Sequence, residues 1–143
     1  MFGKKSTNGV ARLIFDSPTT KYHIREIARE TGISVSTVSK AVKELEAQGL
    51  VEVKEGVTKQ VKGSDNQYFR DMKRVYNMKE LFNSGVLDRI EEKLRPDAVV
   101  LFGSYSRGED REDSDIDLAS INGKDEDFGL ERFEKEVNRT INI

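Results

Sequence analysis

The chain has 143 residues, of which 35% are charged and 36% hydrophobic, and its formal net charge at pH 7 is -2. This balance is typical of a globular protein, and the length suffices for one domain or for two small ones. No apolar run approaches the roughly 18 residues of a membrane span, and the first residues lack the apolar core of a secretory signal. The absence of cysteine excludes disulfides, thiolate zinc sites and thiol catalysis. A cytoplasmic location is expected.

The charge is distributed unevenly along the chain. Residues 1–65 carry a formal charge of +3, whereas residues 66–143 carry -5. A basic front and an acidic back suggest two modules with different partners, although a difference of this size also arises by chance. We expect an N-terminal domain over residues 1–65, a helical junction over 66–80 and a C-terminal domain over 81–143.

Three helices are predicted in the first half. Helical spacing of apolar residues predicts the first over about Lys5–Asp16, closed by Ser17 because the next residue is proline. A short second helix ends at Gly32, the residue type that best tolerates the left-handed conformation. Ser34 is expected to cap the third helix. One face of that helix is apolar and is formed by Val38, Ala41, Val42 and Leu45.

The tight turn between the second and third helices resembles that of the helix-turn-helix in transcription regulators. Two short strands follow, Leu50–Lys54 and Lys59–Lys62, and a hairpin in this place makes a winged helix. The resemblance covers Lys5–Gly63 and implies binding to double-stranded DNA. Some winged helices bind protein instead, and that alternative stays open.

Short hydroxyls and lysines lie opposite the apolar face of the third helix. A helix in the major groove presents such groups to base edges and phosphates. The residues expected to contact DNA from this helix and its cap are Ser34, Ser36, Thr37, Ser39, Lys40 and Lys43. Lys59 and Lys62 would place the wing on the DNA backbone. The alternative is a solvated helix that packs against another domain.

A polar stretch with interleaved aromatic residues follows the wing. Its first residues are read as a linker that runs into a helix, on which Tyr68, Met72, Val75 and Tyr76 share a stripe. Such a stripe is most often an interdomain or dimer core, and a stacking surface for nucleic acid is the alternative. A homodimer is therefore among the expected partners.

The next motif joins a buried strand to a phosphate-binding turn. The apolar run Asp97–Phe102 predicts a strand, which ends at Gly103 and Ser104. Glycine lets the backbone approach a ligand closely, and amides at the beginning of a helix favour anions. Gly103 and Ser104 are therefore candidate phosphate ligands.

A second strand is predicted over SDIDLASI, residues 114–121. Side chains alternate along a strand, so Asp115 and Asp117 share one face, with Cα atoms about 6.6 Å apart. Like charges disfavour each other's ionisation, and a cation resolves the conflict. Oxygen ligands favour Mg²⁺, with Mn²⁺ as a substitute. The preceding acids, Glu109, Asp110, Glu112 and Asp113, are expected to form a solvated loop.

The order of these residues carries a family resemblance. Gly103-Ser104, ten residues and Asp115-Ile116-Asp117 match the GSx10DxD signature of nucleotidyltransferases of the DNA polymerase beta superfamily. Residues 103–118 are similar to its minimal nucleotidyltransferase branch. The resemblance implies a mixed sheet backed by helices, and with the winged helix it gives an α+β fold class. It also implies transfer of a nucleoside monophosphate from an NTP, first of all ATP, to an acceptor.

The resemblance assigns roles to five residues. Asp115 and Asp117 would be the catalytic metal ligands, Gly103 and Ser104 would bind the triphosphate, and Arg107 would contact a phosphate. The family also carries a third carboxylate on a later strand, commonly as the general base. Here a helix with Leu130, Phe133 and Val137 inward precedes a strand that starts at Thr140 and has barely begun at Ile143. The transferase domain is therefore expected to be incomplete at its C-terminus, or else to have kept a nucleotide site and lost the full catalytic set.

Two hypotheses follow. The first is a DNA-binding protein that binds Mg-NTP and transfers a nucleotide, as minimal members of the family do when they act as antitoxins on a partner toxin. The second is a transcription regulator whose transferase-like domain is a non-catalytic nucleotide sensor. A drug-modifying transferase is a third reading, and the attached DNA-binding module argues against it.

Overall fold

Seven helices and six short strands form within residues 4–143, the part of the chain that the computed structural model describes. They fall into two units, the first ending at Phe69 and the second formed by Arg70–Ile143. Each unit combines helices with its own three-stranded sheet, which confirms the predicted α+β fold class. Within the described range, none of the helices has the length and apolar character that a membrane crossing demands.

The first unit is the predicted winged helix-turn-helix. Its elements are α1 (Lys5–Asp16), β1 (Tyr22–His23), α2 (Ile24–Thr31), α3 (Val35–Ala47), β2 (Val51–Lys54) and β3 (Gln60–Gly63). Strand β3 lies between β1 and β2 and is antiparallel to both. The hairpin of β2 and β3 is the wing, with bounds one residue from those predicted, and β1 is a strand that the sequence reading missed.

Capping residues set the ends of α2 and α3. Gly32 closes α2 in the left-handed conformation, with a φ of +70°. The Ser34 hydroxyl accepts a hydrogen bond from the backbone N–H of Thr37 and so caps α3, as predicted. The apolar face of α3 is buried, with Val38 and Leu45 fully inaccessible. Burial of each such side chain contributes about 1.5–3 kcal/mol, which fixes the orientation of α3 and of its opposite, polar face.

The second unit is built on a mixed sheet. Its elements are the greater part of α4 (Gln67–Ser84), then α5 (Val86–Leu94), β4 (Ala98–Phe102), α6 (Gly103–Arg107), β5 (Ile116–Ile121), α7 (Glu131–Val137) and β6 (Ile141–Asn142). Strand β5 is central, antiparallel to β4 and parallel to β6. One face of the sheet packs on the helices, and its core contains Leu81, Val86, Ile90, Leu94, Tyr105, Ile116, Leu118, Phe133 and Ile141.

The aromatic stripe predicted on α4 does not form one buried surface. Tyr76 is buried, whereas the side chains of Tyr68 and Val75 are about half exposed. Adjacent residues are about 100° apart around a helix of 3.6 residues per turn, so Val75 and Tyr76 face different directions. Part of α4 therefore packs inward and part presents apolar groups to solvent.

Candidate functional site

Two aspartates meet at one end of the central strand of the second unit. Asp115 immediately precedes β5, and Asp117 lies within it, paired with Phe102 on one side and with Asn142 on the other. The amide nitrogen of Asn142 lies 3.2 Å from an oxygen of Asp115 and 3.1 Å from an oxygen of Asp117. Both carboxylates thus lie within reach of a single small group.

Gly103 lies directly against one of these carboxylates. It begins α6 immediately after β4 and has a φ of +76°, a conformation that favours glycine. A Cβ at this position would collide with the Asp117 carboxylate. Ser104 is the next residue of α6, and both are partly exposed. The backbone of this turn and the Asp117 carboxylate therefore approach each other more closely than any residue with a Cβ would allow.

The chemistry of these groups fits a divalent cation. Two carboxylates and an amide oxygen are hard ligands of the kind that Mg²⁺ and Mn²⁺ prefer. The Asn142 amide points its nitrogen at the carboxylates, and a half-turn of the amide would present its oxygen instead. Across residues 4–143, no group of three or more His, Cys, Asp and Glu side chains is arranged to hold a metal ion. Further ligands would have to come from water or phosphate oxygens.

Asn142 is the residue of the candidate site that the sequence reading missed. The later strand, read as barely begun, forms β6 and pairs in parallel with β5. Asn142 is its residue that faces the two aspartates, where the resemblance leads one to look for a third carboxylate. A side-chain amide has no basic site at neutral pH and cannot act as a general base. The sequence signal that could have indicated Asn142 is its position between two apolar residues, Ile141 and Ile143, because Asp117 is also flanked by apolar residues.

Arg107 is directed elsewhere. Its guanidinium pairs with Glu109 at 2.8 Å, and its side chain is 58% exposed. Together with Arg74, Val75 and Leu101 it lines a surface depression on the second unit. A role for Arg107 at a phosphate therefore requires its side chain to leave this ion pair.

The acidic loop between Ser104 and Asp115 is not uniformly solvated, and the expectation is wrong for Asp110. This residue is 2% exposed, and its carboxylate accepts hydrogen bonds from Lys73 and Asn77, each at 2.8 Å. Arg139 approaches the same carboxylate at 3.3 Å. Opposite charges attract strongly away from water, so cationic partners make the burial of this acid possible. Its neighbours Glu109 and Asp113 are exposed, as expected.

The buried cluster of Lys73, Asn77, Asp110 and Arg139 connects the parts that carry the site. Lys73 and Asn77 belong to α4, Asp110 to the loop that leads to Asp115, and Arg139 to the turn before β6. Arg139 also donates to the backbone oxygen of Glu112 in the same loop. The cluster therefore anchors both the approach to Asp115 and the strand that carries Asn142.

In the first unit, the residues expected at DNA lie on the outer face of α3 and on the wing. Ser34, Ser36, Lys40 and Lys43 are exposed, and Thr37 and Ser39 are partly so. The hydroxyls of Ser34 and Thr37 are 2.8 Å apart at the first turn of α3, so they support the cap as well.

The wing lysines already have acidic neighbours. Lys59 lies 3.7 Å from Glu55, and Lys62 lies 3.6 Å from Glu52, with all four side chains substantially exposed. Exposed pairs of this kind contribute little and exchange readily for other partners. The wing therefore retains lysines that can turn to a phosphate, at a modest electrostatic cost.

Two segments of the chain match known family models. Residues 17–59 match the MarR family, a segment that contains β1, α2, α3 and β2. Residues 86–142 match the model described as polymerase beta, nucleotidyltransferase, from the first residue of α5 to Asn142. No curated protein and no solved structure gives a significant match. The matches confirm the predicted layout, a winged helix-turn-helix of transcription-regulator type followed by a nucleotidyltransferase domain, and they identify the first as MarR-like.

Replacement of Asp110 by alanine should destabilise the second unit by about 3–5 kcal/mol, because it leaves buried cations without their anion. Urea unfolding followed by circular dichroism measures the change. Glu109→Ala is the matched control, since it removes a neighbouring acid that is exposed and pairs with the exposed Arg107, and it should stay within about 0.5 kcal/mol of wild type. Equal effects of the two substitutions would contradict the role given to the cluster.

Proposed function

We propose that this chain, which joins a MarR-like DNA-binding domain to a nucleotidyltransferase domain, is a DNA-binding regulator that binds a magnesium-bound nucleoside triphosphate. The observation that carries the proposal is the convergence of Asp115 and Asp117 beside Gly103, whose backbone lies directly against the Asp117 carboxylate. Two carboxylates this close, next to a glycine whose backbone a ligand can approach, suit a cation with a polyphosphate.

In this proposal, different residues bind the cation and the phosphates. Asp115 and Asp117 would hold the cation, with Mn²⁺ able to replace Mg²⁺, and ATP is the nucleotide expected first. The backbone of Gly103 can approach the phosphates because no side chain intervenes, and the Ser104 hydroxyl can donate to a phosphate oxygen. When bound, the cation would neutralise phosphate charge and polarise the phosphoryl group.

Transfer of a nucleoside monophosphate needs more than this. An acceptor, such as a partner protein of the toxin class, would have to lose a proton as it attacks. Asn142, the side chain that faces both aspartates from β6, cannot accept that proton. Absence of a positioned base typically costs about 10²–10⁴ in rate.

The same observation favours a second candidate function. A transcription regulator whose second domain senses a nucleotide needs the cation and phosphate ligands but no general base. Asp115, Asp117 and Gly103 would supply those ligands. With Asn142 in place of a general base, the bound nucleotide would not be consumed by transfer. We therefore place binding before transfer in the proposed function.

The DNA-binding half of the proposal rests on the polar face of α3. The buried positions Val38 and Leu45 turn this face outward, and Lys40 and Lys43 supply its positive charge. Lysines at such positions neutralise phosphates, while hydroxyls such as that of Ser36 reach base edges or backbone oxygens.

The double substitution Asp115→Asn, Asp117→Asn should weaken magnesium-dependent ATP binding by more than about 100-fold, since even loss of a supporting ligand lowers metal affinity by about 10–100-fold. Isothermal titration with ATP in Mg²⁺ or Mn²⁺ measures this. Asp113→Asn, an exposed acid two residues away, is the control and should bind as wild type does. Unchanged binding by the double variant would remove the basis for the nucleotide site.

Substitution of Asn142 by aspartate distinguishes a domain that only binds the nucleotide from one that transfers it. If the amide is what prevents turnover, the variant should release pyrophosphate from ATP, or label itself, about 10²–10⁴-fold faster than wild type. Radiolabelled ATP with Mg²⁺ gives both readouts. Adding Asp117→Asn to this variant should abolish the gain. Equal rates in wild type and Asn142→Asp would contradict the role assigned to the amide.

For DNA, affinity for a mixed-sequence duplex should fall with salt at a log-log slope near -0.9 per phosphate neutralised. Lys40→Ala should weaken binding and reduce the slope by about 1, as expected for one phosphate contact. Lys135→Ala, an exposed lysine of the second unit, is the control for loss of a positive charge. Fluorescence anisotropy measures the affinities, and an affinity indifferent to both salt and Lys40→Ala would refute the DNA contact.

A further inference from the structure

The second unit carries an uncovered apolar face, formed by Val75, Met78 and Phe82 of α4 together with Leu101 of β4. The three helical side chains are 55%, 39% and 62% exposed and recur at spacings of three and four residues, so they lie on one side of α4. Leu101 belongs to β4, which lies at the edge of its sheet. Apolar faces and edge strands of this kind are normally covered in the functional state, because they associate with other chains when they are exposed.

Two adjoining depressions run along this face and share Met78 and Leu101. The first is further lined by Phe82, Leu87 and Pro96, and the second by Val75. Met78 and Leu101 therefore mark the middle of one continuous apolar groove between α4 and β4.

The ends of the groove carry opposite charges. Arg74 and Arg107 line one end, and Asp88, Glu91 and Asp97 line the other. Asp71 also lies at the basic end and pairs with Arg74 at 3.8 Å, yet the Arg74 and Arg107 side chains remain 57% and 58% exposed. Arg74 also donates from Nε to the backbone oxygen of Ser106 at 3.2 Å. Because exposed ion pairs are weak, the remaining N–H groups of both guanidinium groups can turn to a new carboxylate.

We propose that this face is the contact between two copies of the chain, related by a two-fold axis near Met78 and Leu101. A two-fold interface uses the same patch on both copies, so the patch has to be complementary to itself. Rotation about an axis in the middle of the groove brings the arginine end of one copy to the acidic end of the other. It also packs the apolar middle of one copy against that of its partner.

The charge order favours a second copy over an unrelated protein. A groove that binds a basic or an acidic partner would carry one sign of charge along its length. Here both signs occur at opposite ends with an apolar centre between them, which is the arrangement that a copy rotated by 180° satisfies. The inference does not depend on nucleotide binding, because the groove lining contains neither Asp115 nor Asp117.

Light scattering of the full chain after size exclusion tests the proposal over about a hundredfold range of concentration, since a dimer responds to mass action. Wild type should show twice the chain mass of 16.2 kDa. Met78→Glu should shift to the monomer mass, because two like charges would meet at the axis. Lys135→Glu, an exposed charge on α7 away from the groove, should remain dimeric. Circular dichroism of each variant verifies that the helices persist.

Charge reversal tests the two-fold arrangement itself. Arg74→Glu and Glu91→Arg should each raise the dimer dissociation constant by about tenfold or more, and the combined variant should regain most of the loss, as paired charges do in a double-mutant cycle. A wild-type chain that stays monomeric overturns the proposal and leaves the face to a different protein. A dimer that persists in Met78→Glu, or a combined variant no better than the single ones, also overturns it.

Discussion

The site of the second unit depends on the repulsion between two carboxylates held two residues apart. Asp115 and Asp117 converge because one precedes and the other lies within β5, and the chain provides one uncharged donor, the Asn142 amide, that reaches both. An amide compensates negative charge only partly, since it carries no net charge of its own. Under the proposed function a cation would supply the remaining positive charge, and the glycine at position 103 is what lets the backbone lie directly against Asp117.

The second unit also contains an acid, Asp110, whose charge is compensated by residues of the protein itself. Asp110 is buried, and its negative charge is compensated by Lys73 and Arg139, which contact one carboxylate oxygen. The amide of Asn77 donates a hydrogen bond to the other oxygen. A buried pair of this kind adds little net stability compared with apolar packing, but it is specific, because a displaced partner leaves an unpaired charge. Specificity is useful here, since the loop from Ser104 to Asp115 contains no helix or strand beyond α6 to hold it. The Asp110 carboxylate thus holds the loop in place, whereas the Asp115 and Asp117 carboxylates are the ones proposed to bind a ligand.

The two units of the chain supply different kinds of recognition. The first places lysines and hydroxyls on an outward helical face, which suits a polyanion of fixed shape, and its affinity would be set by phosphate contacts. The second brings two acids beside the glycine turn that begins α6, and the proposed binding of a cation-bound polyphosphate rests on this arrangement. Under the proposed function, a chain that joins a MarR-like segment to a nucleotidyltransferase segment would respond to both a nucleic acid and a nucleotide.

The sequence by itself determined the features that depend on nearby residues. Helical periodicity, the cap at Ser34, the left-handed stop at Gly32 and the alternation around Asp117 are local, and the helices and principal strands follow from them. Only the tertiary structure decided which distant groups meet. Asp110 reads as one more acid in a solvated run until Lys73, 37 residues away, is placed beside it, and Asn142 is unremarkable until β6 pairs with β5. Long-range pairing and burial are set by the whole fold, so the apolar flanks of Asn142 could indicate a strand position but not the residues that it meets.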